Sequence, residues 1–282
     1  QIPAGVTQIE DYAFANCSAL PAITLPIGVT EIEEGVFLNC SSLRSVTLPQ
    51  GMRKVGDGAF ANCTSLPSIT LPLGLREIEK GAFSGCTSLA SVSFPAAGLT
   101  DIDEGAFYGC TALKAATLPL GLREIDKNAF WGCTSLTNVS IPASVTEIKS
   151  GAFGGCTGLR SVTVGWTVPP MPRYPIFPSV PVANVQLNVP RGTESTYRSM
   201  PVWNEFLKIG TVANAEVDGR QIYTPDGVLY LTLPQPELVR IFDVSGRLLQ
   251  TFSAPAGSST LRLKAGYHIV QVGDTAEKVF VN

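Results

Sequence analysis

Residues Gly81 to Pro95 read GAFSGCTSLASVSFP, and near-copies of this stretch recur along the first half of the chain. Aligned on phenylalanine, the copies fall at Phe14, Phe37, Phe60, Phe83, Phe107, Phe130 and Phe153, 23 residues apart except for one step of 24. Cysteine keeps the same register at Cys17, Cys40, Cys63, Cys86, Cys110, Cys133 and Cys156. Leucine keeps it at Leu20, Leu43, Leu66, Leu89, Leu113, Leu136 and Leu159. The longer step contains FPAAGLTDI, with an extra residue near Ala96 and Ala97, in place of the shorter LPLGLREI.

A fixed period of about 20–29 residues around an L-x-x-(I/V)-x-L core specifies stacked coils, a leucine-rich-repeat solenoid with one main parallel sheet and short helical turns. In LRSVTLP (Leu43 to Pro49), Val46 and Leu48 alternate with Ser45 and Thr47, the two-residue period of a strand with one buried face. Pro49 lacks an N–H and ends the ladder. Small residues before each phenylalanine, such as Ala82, let adjacent coils approach. Asn16, Asn39 and Asn62, then Gly85, Gly109, Gly132 and Gly155, precede the cysteines; Asn and Gly tolerate a left-handed backbone, which predicts a tight corner there.

Stacking at about 4.8 Å, the strand spacing of a sheet, turns each repeated letter into an internal row. Seven cysteines in one row point the same way, which suits neither disulfide torsion nor tetrahedral zinc. They are predicted to be buried packing groups, resistant to thiol reagents until the protein is denatured. The unit L-x-x-(I/V)-T-L-P-x-G-(V/L)-x-E-I-x-x-G-A-F-x-(G/N)-C-(T/S) resembles the BspA-type leucine-rich repeats of bacterial surface proteins. The resemblance covers residues 1 to about 165 in seven copies.

After Ser161–Gly165 the repeat is expected to fail, because six prolines lie between Val168 and Val182. VQLNVP (Val185 to Pro190) restores a strand, and GTESTYRSMPVWNEFLKI supplies a Thr193 cap candidate, a short helix and bulky Tyr197, Trp203 and Phe206. A solenoid end needs covering, so residues 166–212 are expected to form a capping unit whose aromatics close the core. VP-x-G-x-x-x-x-Y followed by W-x-x-F resembles the closing unit of BspA-type proteins.

Residues 213–282 alternate or run apolar between turn residues, with Ser245–Gly246 at a hairpin position, and predict a small all-β antiparallel sandwich. The patterns V-x-I-F-D-x-x-G-R-L and L-x-L-x-A-G-Y-x-I-V-x-V resemble C-terminal sorting domains of secreted Bacteroidetes proteins. Here Tyr267 directly follows Gly266 and His268 takes the aromatic slot, a departure from the usual G-x-Y strand. That resemblance implies an anchor, spacer or export signal.

Hydrophobic residues make up 45% of the 282 and charged residues 15%, with a net charge of −3 and no basic run. This composition argues for a folded chain and against phosphate neutralisation of nucleic acid. No apolar run reaches the roughly 20 residues of a membrane helix. The chain opens in mid-repeat without Met or signal peptide, which leads us to expect that an export signal was removed.

The single histidine, His268, lies in a predicted strand of another domain from the cysteines, and is expected to be a partly exposed strand residue rather than a catalytic base. Carboxylates recur in two registers: Glu31, Glu77, Asp101, Glu124 and Glu147, interrupted by Lys54, and Glu33, Glu79, Asp103 and Asp126 two residues later. Arg53, Arg76, Arg123, Lys80 and Lys127 lie close by, so the plain reading is a solvated mixed-charge face. A deep cleft holding two carboxylates, one of raised pKa, would favour a carbohydrate-active enzyme instead.

The outward positions of the main sheet carry Ser45, Thr47, Ser68, Thr70, Ser91, Ser93, Thr117, Asn138, Ser140, Ser161 and Thr163. Such an array stabilises a parallel sheet through cross-strand contacts, and it also offers a long face to an extended partner. No catalytic, metal or cofactor residue is predicted. The expected function is that of a secreted or cell-surface recognition and adhesion protein binding a host or cell-surface protein or glycan. Adhesion to host extracellular proteins is what the BspA-type resemblance implies; a solenoid enzyme and a structural spacer are the alternatives.

Overall fold

The computed structural model describes residues 2–95, 98–212, 221–223, 228–233, 236–243, 245–255, 257–272 and 275–281. The extra residue near Ala96 and Ala97, and the start of the C-terminal region at 213–220, lie outside them. The chain divides into two compact units, Gln1–Asn188 with Ser195–Ile209, and Val189–Glu194 with Gly210–Asn282.

The first unit is a succession of stacked coils with three hydrogen-bonded faces. The first face holds the strands Ala22–Thr24, Ser45–Thr47, Ser68–Thr70, Ser91–Ser93, Ala115–Thr117, Asn138–Ile141 and Ser161–Val164, and residues 186–188 pair in register with residues 161–163. Its pairs are parallel and in repeat register, as in Ser68↔Ser91 and Asn138↔Ser161. The second face is a continuous six-stranded parallel sheet of two-residue strands from Glu31–Ile32 to Glu147–Ile148. The third consists of turns stitched coil to coil, for example Phe60 N–H to the Ala82 carbonyl at 2.7 Å.

The first face is broken between Ser45–Thr47 and Ser68–Thr70, and again between Ser91–Ser93 and Ala115–Thr117. The first break has a covalent cause. Arg44 N–H donates to the Pro21 carbonyl and Ala90 N–H to that of Pro67, but Pro67 has no N–H to give Arg44. The second break falls at the 24-residue coil.

Inside, the phenylalanines form one stack. Successive rings from Phe14 to Phe153 lie 5.1–5.5 Å apart within 14° of parallel. The corners ahead of the cysteines are left-handed as expected, with φ of 58–62° at Asn16, Asn39 and Asn62 and 64–74° at the four glycines. The asparagines add a side-chain ladder, Asn39 Nδ2 to Asn16 Oδ1 at 2.9 Å and Asn62 Nδ2 to Asn39 Oδ1 at 3.0 Å. It stops at Gly85, where a Cβ would lie 2.3 Å from Asn62 Oδ1.

Two sequence expectations about the cysteines need correction. Cys40 through Cys156 are buried, but Cys17, in the first coil, is exposed. The buried thiols also do more than fill space. Each Sγ donates to the carbonyl of the phenylalanine in the coil before, from Cys40 to Phe14 at 3.1 Å through Cys156 to Phe130 at 3.2 Å. A side chain as small as cysteine, apolar in bulk yet able to donate, meets both demands of this row.

The repeat also continues beyond Gly165. Phe177 stacks on Phe153 at 5.6 Å, Ser179 takes the left-handed corner at φ 63°, and Val180 stands in the cysteine row. Phe153 N–H donates to the Ile176 carbonyl, as earlier phenylalanines do to their next coil. This irregular eighth coil ends the row: Phe177 meets Phe206 and Trp203 edge-on at 5.4 and 6.2 Å. Tyr197, Trp203 and Phe206 are all buried, and Tyr197 donates its hydroxyl to the Trp166 carbonyl at 2.7 Å.

The second unit contains a three-stranded antiparallel sheet (Gln221–Tyr223, Val228–Leu233, Gly257–Arg262) and a four-stranded one (Leu248–Ala254, Glu237–Asp243, Gly266–Val272, Thr275–Val281). They share one core of Leu229, Leu231, Leu233, Val239, Ile241, Ala254, Val270 and Val272. The Ser245–Gly246 hairpin is held by Asp243, whose Oδ1 accepts from Ser245 N and Arg247 N at 3.0 Å each. Thr193 precedes the short helix Glu194–Ser199, but its hydroxyl donates back to the Pro190 carbonyl at 2.7 Å. His268 is buried at 7% exposure, against the expectation of a partly exposed residue. Its Nε2 lies 2.8 Å from the Lys264 carbonyl, which can only accept, so Nε2 carries the proton. Among the described residues no helix is long and apolar enough to cross a membrane.

Candidate functional site

The outward side chains of the first face follow from strand alternation. Val46, Ile69 and Val92 turn inward, which sends Ser45, Thr47, Ser68, Thr70, Ser91 and Ser93 outward, and all six are exposed. Register places Ser68 beside Ser91 and Thr70 beside Ser93. None of the six hydroxyls has a side-chain hydrogen-bond partner among the described residues. They form a near-neutral array of short donors and acceptors.

Further along the same face the candidates differ. Thr117, Asn138, Ser140, Ser161 and Thr163 are only half exposed. Asn188 donates through Nδ2 to Ser161 Oγ at 2.9 Å and to Thr163 Oγ1 at 3.3 Å, and Asn138 donates to Thr137 Oγ1 at 3.0 Å. Those groups are engaged within the solenoid. The predicted array thus divides into a free half at residues 45–93 and a partly satisfied half at 117–163. Asn188 was missed in the sequence because it lies in the irregular eighth coil; its place opposite Thr163 in the restored strand VQLNVP was the available signal.

The second face gathers the carboxylates. Lys54, in register with Glu31 and Glu77, bridges Glu33 at 3.2 Å, Glu79 at 3.8 Å and Glu31 at 3.9 Å. Lys149 bridges Glu124 at 2.5 Å and Asp126 at 2.8 Å, and Glu104 takes Lys80 and Lys127 at 3.2 and 3.8 Å. Between the two lysine clamps the charge is less balanced. Burial, reinforced by Asp126, Asp101, Glu79 and Asp57, pushes the Asp103 carboxyl up to about 6. Burial also raises Glu79, against the pull of Lys54.

A raised carboxyl was one mark of the enzyme alternative, but Asp103 lies on the sheet face. It is not among the residues lining the cleft of about 500 Å³ at the far end, where Glu104, Asp126 and Glu147 are. No group of three or more His, Cys, Asp or Glu among the described residues could hold a metal ion.

Comparison with known proteins agrees with this architecture. The BspA type Leucine rich repeat region matches in six copies, over residues 1–97 and 77–174. A leucine-rich repeat protein of T. pallidum is 34% identical, with a TM-score of 0.53 over 64% of this chain and 83% of its own. A leucine-rich repeat protein from Bacteroides ovatus is 26% identical over 70% of this chain and 63% of its own, with a TM-score of 0.39. A leucine rich cell surface protein from Faecalibacterium prausnitzii is likewise 26% identical, over 67% and 68%, with a TM-score of 0.42. No curated protein matches the chain.

Proposed function

Because the chain belongs to the BspA-type leucine-rich repeat family, we propose that it is a non-enzymatic recognition protein, secreted or attached to the cell surface, which binds a protein or glycan partner through the solenoid. The observation that carries this reading is the free hydroxyl array at Ser45, Thr47, Ser68, Thr70, Ser91 and Ser93. A flat face with regular spacing and unspent hydrogen-bonding capacity suits a partner that is itself extended, either a peptide or a sugar chain. Fold alone does not name that partner. In this reading residues 166–212 close the solenoid, and residues 213–282 act as anchor, spacer or export signal.

The test applies the full chain to immobilised glycans and extracellular-matrix proteins, beside a Thr70→Lys/Ser91→Lys variant. Both positions are exposed, so the variant should keep its circular dichroism spectrum. Saturable binding that the variant loses is the expected result. A wild-type chain that binds nothing on either surface, or a variant that binds as well as wild type, would remove the assignment.

A further inference from the structure

In the second face every coil accepts hydrogen bonds from the next. Arg53 and Val55 carbonyls take N–H donors from Arg76 and Glu79, and Arg123 and Ile125 carbonyls take them from Thr146 and Lys149. The series ends at Glu147–Ile148. There the carbonyls of Thr146 and Ile148, two residues apart on one strand, have no such donor among the described residues. Proline removes four of the seven N–H groups that could fill them. The eighth coil passes this edge as PPMPRYP, whose Pro169, Pro170, Pro172 and Pro175 carry no N–H.

The loop stands off instead, and a cleft of about 500 Å³ lies between it and the edge strand, walled by Thr146–Ser150 on one side and Pro170–Tyr174 on the other. The charges there are also uncompleted. Glu147 is exposed, stands in register with Glu124, and has no ion-pair partner among the described residues; Arg173 across the cleft has none either.

We propose that this cleft binds an extended, lysine-bearing peptide segment of a partner protein, added as a parallel strand beyond Glu147–Ile148. Two vacant carbonyls at an i, i+2 spacing take backbone N–H donors three residues apart in an extended chain, as Arg53 and Gly56 supply to Thr30 and Ile32, a pattern that a sugar chain does not supply. The register of the solenoid shows which charges such a peptide would meet. Lys54 occupies the position next to Glu31, as a peptide lysine would that next to Glu147, and its strand donates Arg53 N–H to Thr30 and Gly56 N–H to Ile32 at 2.7 Å each. Lys149, held by Glu124 and Asp126, stands in the register of Glu33, so Glu147 is the carboxylate left for that lysine. A peptide with that pattern would set its lysine against Glu147, its Arg and Gly N–H groups on Thr146 and Ile148, and its terminal Asp near Ser150, with Lys127, Lys149 and Arg173 in the surrounding walls. This site is distinct from the hydroxyl face, so either reading can fail without the other.

The experiment uses the full chain and a capped, fluorescein-labelled peptide GMRKVGD, the sequence of residues 51–57, followed by fluorescence anisotropy. Saturable binding is expected, and Glu147→Lys should weaken it about tenfold or more, since a like charge then replaces the partner. A peptide carrying Glu in place of its Lys should prefer the Glu147→Lys chain to the wild type. N-methylation of the Arg and second Gly amides should abolish binding, whereas Thr70→Lys/Ser91→Lys should leave it unchanged. The proposal is overturned by no saturable binding to wild type, by equal binding of the N-methylated peptide, by indifference to Glu147→Lys, or by displacement of the peptide with maltoheptaose.

Discussion

Phe83 is the position at which the stacked-row account can be tested most severely. Its ring is fully buried between Phe60 at 5.3 Å and Phe107 at 5.2 Å, tilted from them by only 3° and 6°. Phe83→Ala would open a cavity that neighbouring coils cannot collapse into without breaking their own hydrogen-bond register. Truncating a core phenylalanine costs about 3–5 kcal/mol, and each lost stacking pair contributes about 0.5–1.5 kcal/mol beyond the buried area. The two descriptions overlap, so about 4–5 kcal/mol is expected. Phe14 supplies the internal control: it is half buried and has one stacked neighbour in its row, Phe37 at 5.5 Å. Half the burial and one pair give about 1–2 kcal/mol for Phe14→Ala. Urea unfolding followed by circular dichroism reads both. The central variant should also unfold over a broader range, because stability in a stack is a sum of nearest-neighbour terms. Equal losses at the two positions, or a loss below about 2 kcal/mol at Phe83, would refute the account.

Two further perturbations address chemistry rather than packing. A thiol reagent applied to native protein should modify one cysteine per chain, Cys17, and all seven after denaturation; burial pushes Cys40 up to about 11 and Cys86 and Cys156 to about 12, which keeps their thiolates scarce. Cys17→Ser should abolish native labelling, and rapid modification of two or more thiols would contradict the burial of the row. Asp103 predicts a pH dependence: its folded-state value of about 6 lies above the ordinary 3.8, so its contribution to stability is fully present below pH 3.8 and is lost as pH rises through 6. Solvent screening reduces the full shift to about 1 kcal/mol. Asp103→Asn should therefore stabilise the chain by about that amount at neutral pH and flatten the slope from about pH 4 to 6; an unchanged slope in thermal unfolding would show that the carboxyl is not strained by its neighbours.

The rows were legible in the sequence because a coil that repeats its backbone must repeat whatever the backbone requires. Phe, Leu and Cys recur as letters since each meets the same neighbour once per coil. The thiol–carbonyl bonds were not legible, because they join residues 26 or 27 apart that no local pattern pairs. Cys17 shares the letter and not the environment, for it has a row neighbour on one side, Cys40. Phe177 escaped notice for a different reason. It lies 24 residues after Phe153, a spacing already present once, but Val180 replaces the cysteine and the prolines mask the strand period around it. The hydroxyl face was readable as outward positions, whereas its division into free and engaged halves depends on Asn188, a residue of the one coil that does not follow the pattern.

Departures from the repeat locate what is particular to this molecule. Pro67 removes a single donor and splits the first face while leaving the rows intact, since phenylalanine stacking and the second face still join those coils. Lys54 and Lys149 replace residues in acidic registers, and the carboxylates beside them are the clamped ones. The eighth coil goes furthest, for it keeps the aromatic row and the turn ladder but withholds the second-face strand. Phe177, Tyr197, Trp203 and Phe206 close the core. A terminal coil that covers the core yet leaves neighbouring carbonyls bare has separated two tasks, burial and edge pairing, and only the second is left for another chain to complete.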